Sequence, residues 1–198
     1  MTIAIIGGTF DPIHIGHLIA AEQARIKLGI KDVLFMPAGQ PWFKANNGIT
    51  SAHHRIEMVR LAISSNPNFK LCTAETGRTG PSFTIDTMEE LKKEQGIVNP
   101  YFFIGSDILN GFPLWKEPVK LLKACRLVVI SRSGSLQMDL SCIEADVPGL
   151  LDNIQLLDMP VIEISSSDIR RKKASGESIR YLVPTKVQQY IVEHMLYL

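Results

Sequence analysis

The sequence predicts an α/β fold, a doubly wound parallel sheet with helices on both faces. Strand-like and helix-like patterns alternate from one end of the chain to the other. Each β-α-β step needs a crossover connection, and crossovers give parallel strands covered by helices. With 198 residues, 45% apolar and 21% charged, the chain is long enough for one such domain and too apolar to be disordered.

The elements follow in order. A strand is expected over Thr2 to Ile6, then a helix from about Gly16 to Leu28, with Leu18, Ile19, Ala21, Ala24 and Leu28 as its apolar face. "KDVLFMPAG" gives a strand ending at Pro37, and the polar loop "GQPWFKANNG" after it is long enough to be functional. A helix from about Ala52 to Ser64 and a strand "FKLCTAE" come next. After the loop "TGRTGPSF", a helix from Thr84 to Glu94 puts Ile85, Met88 and Leu91 on one face.

The alternation continues with strand "YFFIG", a short helical or irregular piece through Trp115, helix "PVKLLKAC" and strand "RLVVISR". Residues Ser133 to Asn153 mix Gly, Ser, Asp and Pro with scattered apolar residues and read as a surface loop carrying a short helix. "MPVIEI" reads as the last strand and "SSSDIRRKKA" as a helix. "PTKVQQYIVEHMLYL" is a C-terminal helix with Pro184 suited to its first turn. Residues 1–198 therefore read as a single domain, with a C-terminal helical part, about 165–198, packed on it.

Composition narrows the function. A formal net charge of +1 gives no reason to expect nucleic acid as a partner, so small ligands are favoured. Cys72, Cys125 and Cys142 are odd in number, far apart and without C-x-x-C spacing, which suggests neither disulfides nor zinc but thiols of a reducing compartment. No leader pattern and no membrane-spanning run is visible, so a cytoplasmic location is expected.

In open parallel sheets ligands sit at the carboxyl ends of the strands, which is where "GGTFDPIHIGHL", Gly7 to Leu18, falls. The turn has neither the G-x-G-x-x-G nor the G-x-x-x-x-G-K-[ST] spacing. Gly7 and Gly8 allow a ligand close to the backbone, and Asp11-Pro12 forms a turn before a helix. His14 and His17, three apart, share one helix face, where their donors and the free backbone N–H groups would converge on one anion such as a phosphate chain. One such His alone is more often a cap, and as a metal pair the two lack a third ligand nearby unless Asp11 serves.

A second constellation is "ISSSDIR", Ile164 to Arg170. Its serines can cap the following helix and donate hydroxyls, and Arg170 offers a planar fork for phosphate. An ordinary N-cap with solvated charges is the competing reading, and it is kept for Arg171, Lys172 and Lys173.

Together these two stretches resemble the signatures of the nucleotidyltransferase superfamily: H-x-G-H in His14-Ile15-Gly16-His17, and I-S-S-[ST]-x-[IV]-R in Ile164 to Arg170. Over almost the whole chain the resemblance is closest to the bacterial nicotinate-nucleotide adenylyltransferase family, through "PSFTIDTMEEL", "IGSDILNGFPLW" and "YLVPTKVQQYI". It implies the Rossmann-like, nucleotidyltransferase-type version of the fold. One departure is "PWFK", which keeps Lys44 but has Phe43 where many members have His, leaving more of a phosphate contact to Lys44. Trp42 and Phe43 are open to roles as lid, oligomer contact or packing.

The resemblance implies adenylyl transfer from ATP to nicotinate mononucleotide, with pyrophosphate released. It implies His17, His14, Lys44 and Arg170 as catalytic residues, and Gly7, Gly8, Thr9, Phe10, Gly105, Asp107, Ser166 and Ser167 beside His14, His17 and Arg170 around ATP. For the mononucleotide it implies Lys44, Thr84, Trp115 and Arg132. Trp115 as a platform for the pyridinium and the helix start at Thr84 as a site for its carboxylate are sound chemistry, with a core tryptophan and a helix cap as the competing readings. Mg²⁺ would be held mainly by ATP oxygens, with no protein metal site. Resemblance alone suggests a homodimer. Alternatives are transfer to nicotinamide mononucleotide or phosphopantetheine, or a nucleotide-binding regulator without catalysis.

Overall fold

The computed structural model describes residues 2–41, 48–131, 140–159 and 162–198. The first half contains β1 (Ile3–Gly8), α1 (Ile15–Lys27), β2 (Asp32–Pro37), β3 (Gln40–Pro41), α2 (Ala52–Ile63), β4 (Phe69–Leu71), β5 (Pro81–Ser82) and α3 (Thr84–Gln95). The second contains β6 (Tyr101–Gly105), α4 (Ser106–Leu109), a 3₁₀ turn at Phe112–Leu114, α5 (Pro118–Ala124), β7 (Arg126–Ser131), α6 (Ser141–Asp146), α7 (Leu150–Asn153), β8 (Ile154–Asp158), α8 (Ser166–Ala174) and α9 (Thr185–Glu193).

Six strands form one parallel sheet in the order β4-β2-β1-β6-β7-β8. Strand alternation divides their side chains between two cores. Ala4, Ile6, Val33, Phe35, Phe103, Val128 and Ile130 pack with residues of α1, α2, α8 and α9. Ile5, Leu34, Met36, Phe102, Ile104, Leu127 and Val129 pack with residues of α3, α5, α6 and α7. Burial on both faces explains the continuous apolar runs Ile3–Ile6, Val33–Met36 and Leu127–Ile130, and it gives the expected doubly wound architecture. Ile169, Ile179, Val183, Val187 and Ile191 of the C-terminal part belong to the first core.

Several expectations need correction. Among the described residues the last sheet strand is β8, not "MPVIEI": Ile154 to Asp158 pair in register with Leu127 to Ser131 along the edge of β7. Residues 162–165 lie outside any strand; the sequence after β8 contains Pro160, which has no N–H to continue a ladder. Only Phe69–Leu71 of "FKLCTAE" is strand; the chain turns at Thr73, whose carbonyl accepts from Thr76 N–H at 3.1 Å. Residues 141–153 hold two short helices rather than one, while 133–139 fall outside the described residues. Ile19 points outward, whereas Ala21 and Ala24 are buried.

The last helix ends at Glu193 rather than continuing to Leu198, and Pro184 is its N-cap rather than a residue of its first turn. Residues 194–198 bend back: Leu196 N–H donates to Ile191 O at 3.0 Å, and Leu196 and Tyr197 pack on the first core. Cys72 and Cys125 are buried free thiols, burial pushing the latter's pKa up to about 12, and Cys142 is exposed. Among the described residues no helix is long and apolar enough to cross a membrane.

Candidate active site

The strand order reverses between β1 and β6, and the carboxyl ends of these two strands open into a cavity of about 600 Å³. Its β1 wall is the predicted turn, with Gly7, Gly8, Thr9, Phe10, His14 and His17 all lining it. Facing it across the opening are Gly105 and Asp107 from the end of β6.

The histidine turn is held tightly. His14 is the N-cap of α1 and is buried; its backbone N–H donates to Nδ1 of His17 at 3.2 Å. The two imidazoles stack with centroids 3.6 Å apart. Gly16 is what makes room for this, since a Cβ there would come within 3.1 Å of the His14 ring. Phe10 takes φ +50°, strained for a bulky residue, while its buried ring meets His17 edge-on at 5.1 Å.

The second signature reaches the same place from the far end of the chain. Ser165 caps α8 by accepting from Asp168 N–H at 3.1 Å. Ser166 Oγ donates to Pro12 O at 2.8 Å, and Arg170 Nη1 donates to Asp11 O at 2.6 Å. Both bonds dock the start of α8 onto the histidine turn, so Ser166, Ser167 and Arg170 line the cavity beside His14 and His17. Arg171 pairs with Asp168 and Lys172 with Glu177, the solvated face expected of them.

Phe83, Phe102 and Trp115 also line the cavity. Trp115 is half-buried against Phe112 (centroids 5.4 Å) and Phe102 (6.3 Å) and still lines the cavity, so packing and binding are compatible roles. Thr84 is the first residue of α3 with Phe83 as N-cap, so it is not the cap itself. Lys116 Nζ sits 5.0 Å over the Phe83 ring and pairs with Asp86 at 2.8 Å. Lys44 and Arg132, like Trp42 and Phe43, lie outside the described residues.

Asp11 is buried beside the turn. Its carboxylate accepts from Tyr197 OH at 2.6 Å and from Thr50 N–H at 3.2 Å, and burial with the Asp11 charge drives the Tyr197 pKa upward. Among the described residues no group of three or more His, Cys, Asp or Glu side chains is placed to hold a metal.

Sequence reasoning missed three residues that shape the site. Arg55 is buried under it, and burial lowers its pKa against the opposing charge of Asp11. Its signal was a single Arg in the apolar stripe Met58, Val59, Ala62 of α2. Glu75 is buried in the cavity wall, its pKa raised by desolvation against hydrogen bonds that include one from Thr87 Oγ1 at 3.1 Å. Tyr197 carries no local signal, because its partner lies 186 positions away.

A parallel sheet with a paired-histidine turn and a serine–arginine helix meeting at the switch point defines a nucleotidyltransferase-type site, and the chain belongs to the cytidylyltransferase-like family, whose model matches residues 5–172. Its relatives within that family are more specific. It is 41% identical to the "Probable nicotinate-nucleotide adenylyltransferase" of Dehalococcoides mccartyi strain CBDB1 over 98% of this chain and 95% of that one. It is 43% identical to the protein of the same name from Thermomicrobium roseum, over 98% and 91%. In fold it is similar to Plasmodium falciparum nicotinic acid mononucleotide adenylyltransferase complexed with NaAD, with a TM-score of 0.80 at 23% identity, covering 99% and 97% of the two chains.

Proposed function

We propose that the protein transfers the adenylyl group of ATP to nicotinate mononucleotide, giving nicotinate adenine dinucleotide and pyrophosphate in NAD biosynthesis. The observation that carries this is that one cavity is lined both by His14, His17, Ser166, Ser167 and Arg170 and by Thr84, Trp115 and Lys116. Relatives about 40% identical along the chain carry that enzyme's name. Residues 1–198 act as one catalytic domain, cytoplasmic in keeping with three free thiols.

The attacking atom is a 5′-phosphate oxygen of the mononucleotide, which is already anionic and needs no general base. It forms a bond to the α-phosphorus of ATP in line as the bond to the bridging oxygen breaks, and that electron pair leaves on pyrophosphate. Catalysis is then positioning plus charge stabilisation. His17 donates to the α-phosphate, His14 and Lys44 hold phosphate, and Ser166, Ser167 and Arg170 meet the leaving pyrophosphate. Gly7, Gly8, Thr9 and Phe10 leave the backbone open to ATP, and Gly105 and Asp107 take its ribose. Trp115, Thr84 and Arg132 receive the mononucleotide.

Mg²⁺ enters as part of MgATP. The carboxylate of Asp11, which lines the cavity, is engaged by Tyr197 and Thr50, and the phosphates and water are the fitting oxygen ligands for this hard ion. One assay tests the reading: pyrophosphate release from ATP with nicotinate mononucleotide, nicotinamide mononucleotide and phosphopantetheine offered separately. Turnover with the first is expected to dominate. Preference for either other acceptor, or no release with any, would overturn it.

A further inference from the structure

Arg55 is a cation buried beneath the site, and its hydrogen bonds among the described residues run to main-chain carbonyls. Nε donates to Thr50 O at 2.9 Å, Nη1 to Thr9 O at 2.9 Å and to Ala38 O at 2.7 Å, and Nη2 to Gly39 O at 3.1 Å. Four of its five N–H donors thus join three separate segments: the β1–α1 turn, the exit of β2, and the approach to α2.

Each segment leads to one side of the cavity. Thr9 begins the strained turn through Phe10 to the histidines. Gly39 leads to the other side: its N–H is bonded to Ser82 Oγ at 3.1 Å, Gln40 and Pro41 pair with Pro81 and Ser82, and Phe83 and Thr84 follow directly. Gly39 is itself closely packed, since a Cβ there would meet Glu75 O at 2.2 Å. Moving the guanidinium therefore changes the spacing between the histidine turn and the Phe83–Thr84 wall.

We propose that Arg55 is a positioning residue that sets the distance between the ATP half and the mononucleotide half of the cavity without touching either substrate. The proposal rests on adenylyl transfer to the mononucleotide, and wild-type turnover in the same assay separates failure of that reading from failure of this one. A lysine keeps the charge and stem but has a tetrahedral ammonium with three donors, so it cannot reproduce the planar four-bond pattern.

The test is steady-state kinetics of R55K and R55M, normalised to folded protein by circular dichroism. A misalignment of the two halves should lower kcat by about 10²-fold in R55M and by about tenfold in R55K, while both KM values change by less than about threefold. A residue that merely stabilises the fold would lower the melting temperature and leave kcat per folded molecule unchanged. That result, a raised KM with kcat retained, or failure of both variants to fold would each overturn the proposal.

Discussion

The His14 backbone N–H donates to Nδ1 of His17 at 3.2 Å. In a neutral imidazole the accepting nitrogen carries no proton, so the His17 proton sits on Nε2 and that nitrogen is a fixed donor. The helix N-cap thus sets the tautomer of the residue assigned to the α-phosphate. His17→Ala is expected to lower kcat by roughly 10²-fold, as removal of one oxyanion donor does, with little change in melting temperature. Turnover close to wild type would remove His17 from the mechanism.

Gly16 offers a subtler probe, since Gly16→Ala leaves every proposed contact residue in place. Its Cβ would press on the His14 ring at 3.1 Å, so the stacked pair must shift by a few tenths of an ångström. Alanine favours the helix by up to about 1 kcal/mol. The expected outcome is a protein as stable as wild type or more so, with kcat reduced severalfold. Unchanged kcat would show that the stacking geometry of the histidines does not matter.

Trp115 combines packing with an open face. Trp115→Ala should weaken binding of nicotinate mononucleotide, measured by calorimetry, while a non-hydrolysable ATP analogue binds as before. Trp115→Phe keeps the contacts to Phe112 and Phe102 and should restore part of that affinity. Equal losses for both ligands in the alanine variant would mark the tryptophan as structural.

What was legible in the sequence was whatever is written locally. The histidine turn, the capping serines and the crossover alternation each depend on residues within a few positions of one another, and the sheet and both signature sites followed from them. The final strand was misplaced because "IQLLD" and "MPVIEI" are adjacent apolar runs of similar character, and only the edge of β7 chooses between them. Tyr197 was illegible, and Arg55 showed only as a charge in an apolar stripe, because their partners, Asp11 and the carbonyls of Thr9, Ala38 and Gly39, are brought to them by the fold alone.

Arg170 splits its fork, Nη1 on Asp11 O at 2.6 Å and Nη2 on Ser167 Oγ at 3.4 Å. A lysine can replace one of these but not both together with a phosphate contact. Arg170→Lys should therefore raise KM for ATP and lower kcat, with the mononucleotide affinity intact. A variant whose only defect is in mononucleotide binding would place Arg170 on the wrong side of the reaction.

Glu75 gives a prediction about pH. Its folded pKa is raised above 4.5, because burial disfavours the carboxylate more than its hydrogen bonds, including that from Thr87, favour it. The native state therefore holds this proton more tightly than the unfolded chain. Its contribution to stability is complete below the unfolded value near 4.5 and is lost as pH rises through the folded pKa. Glu75→Gln removes the titration and keeps an acceptor oxygen for Thr87. Melting temperatures measured from pH 4 to pH 8 should show the variant gaining on wild type as pH rises, with the smallest gain at the acid end. A gap that stays constant across that range would mean that ionisation of Glu75 carries no cost in the folded protein, and that its hydrogen bonds offset its burial completely.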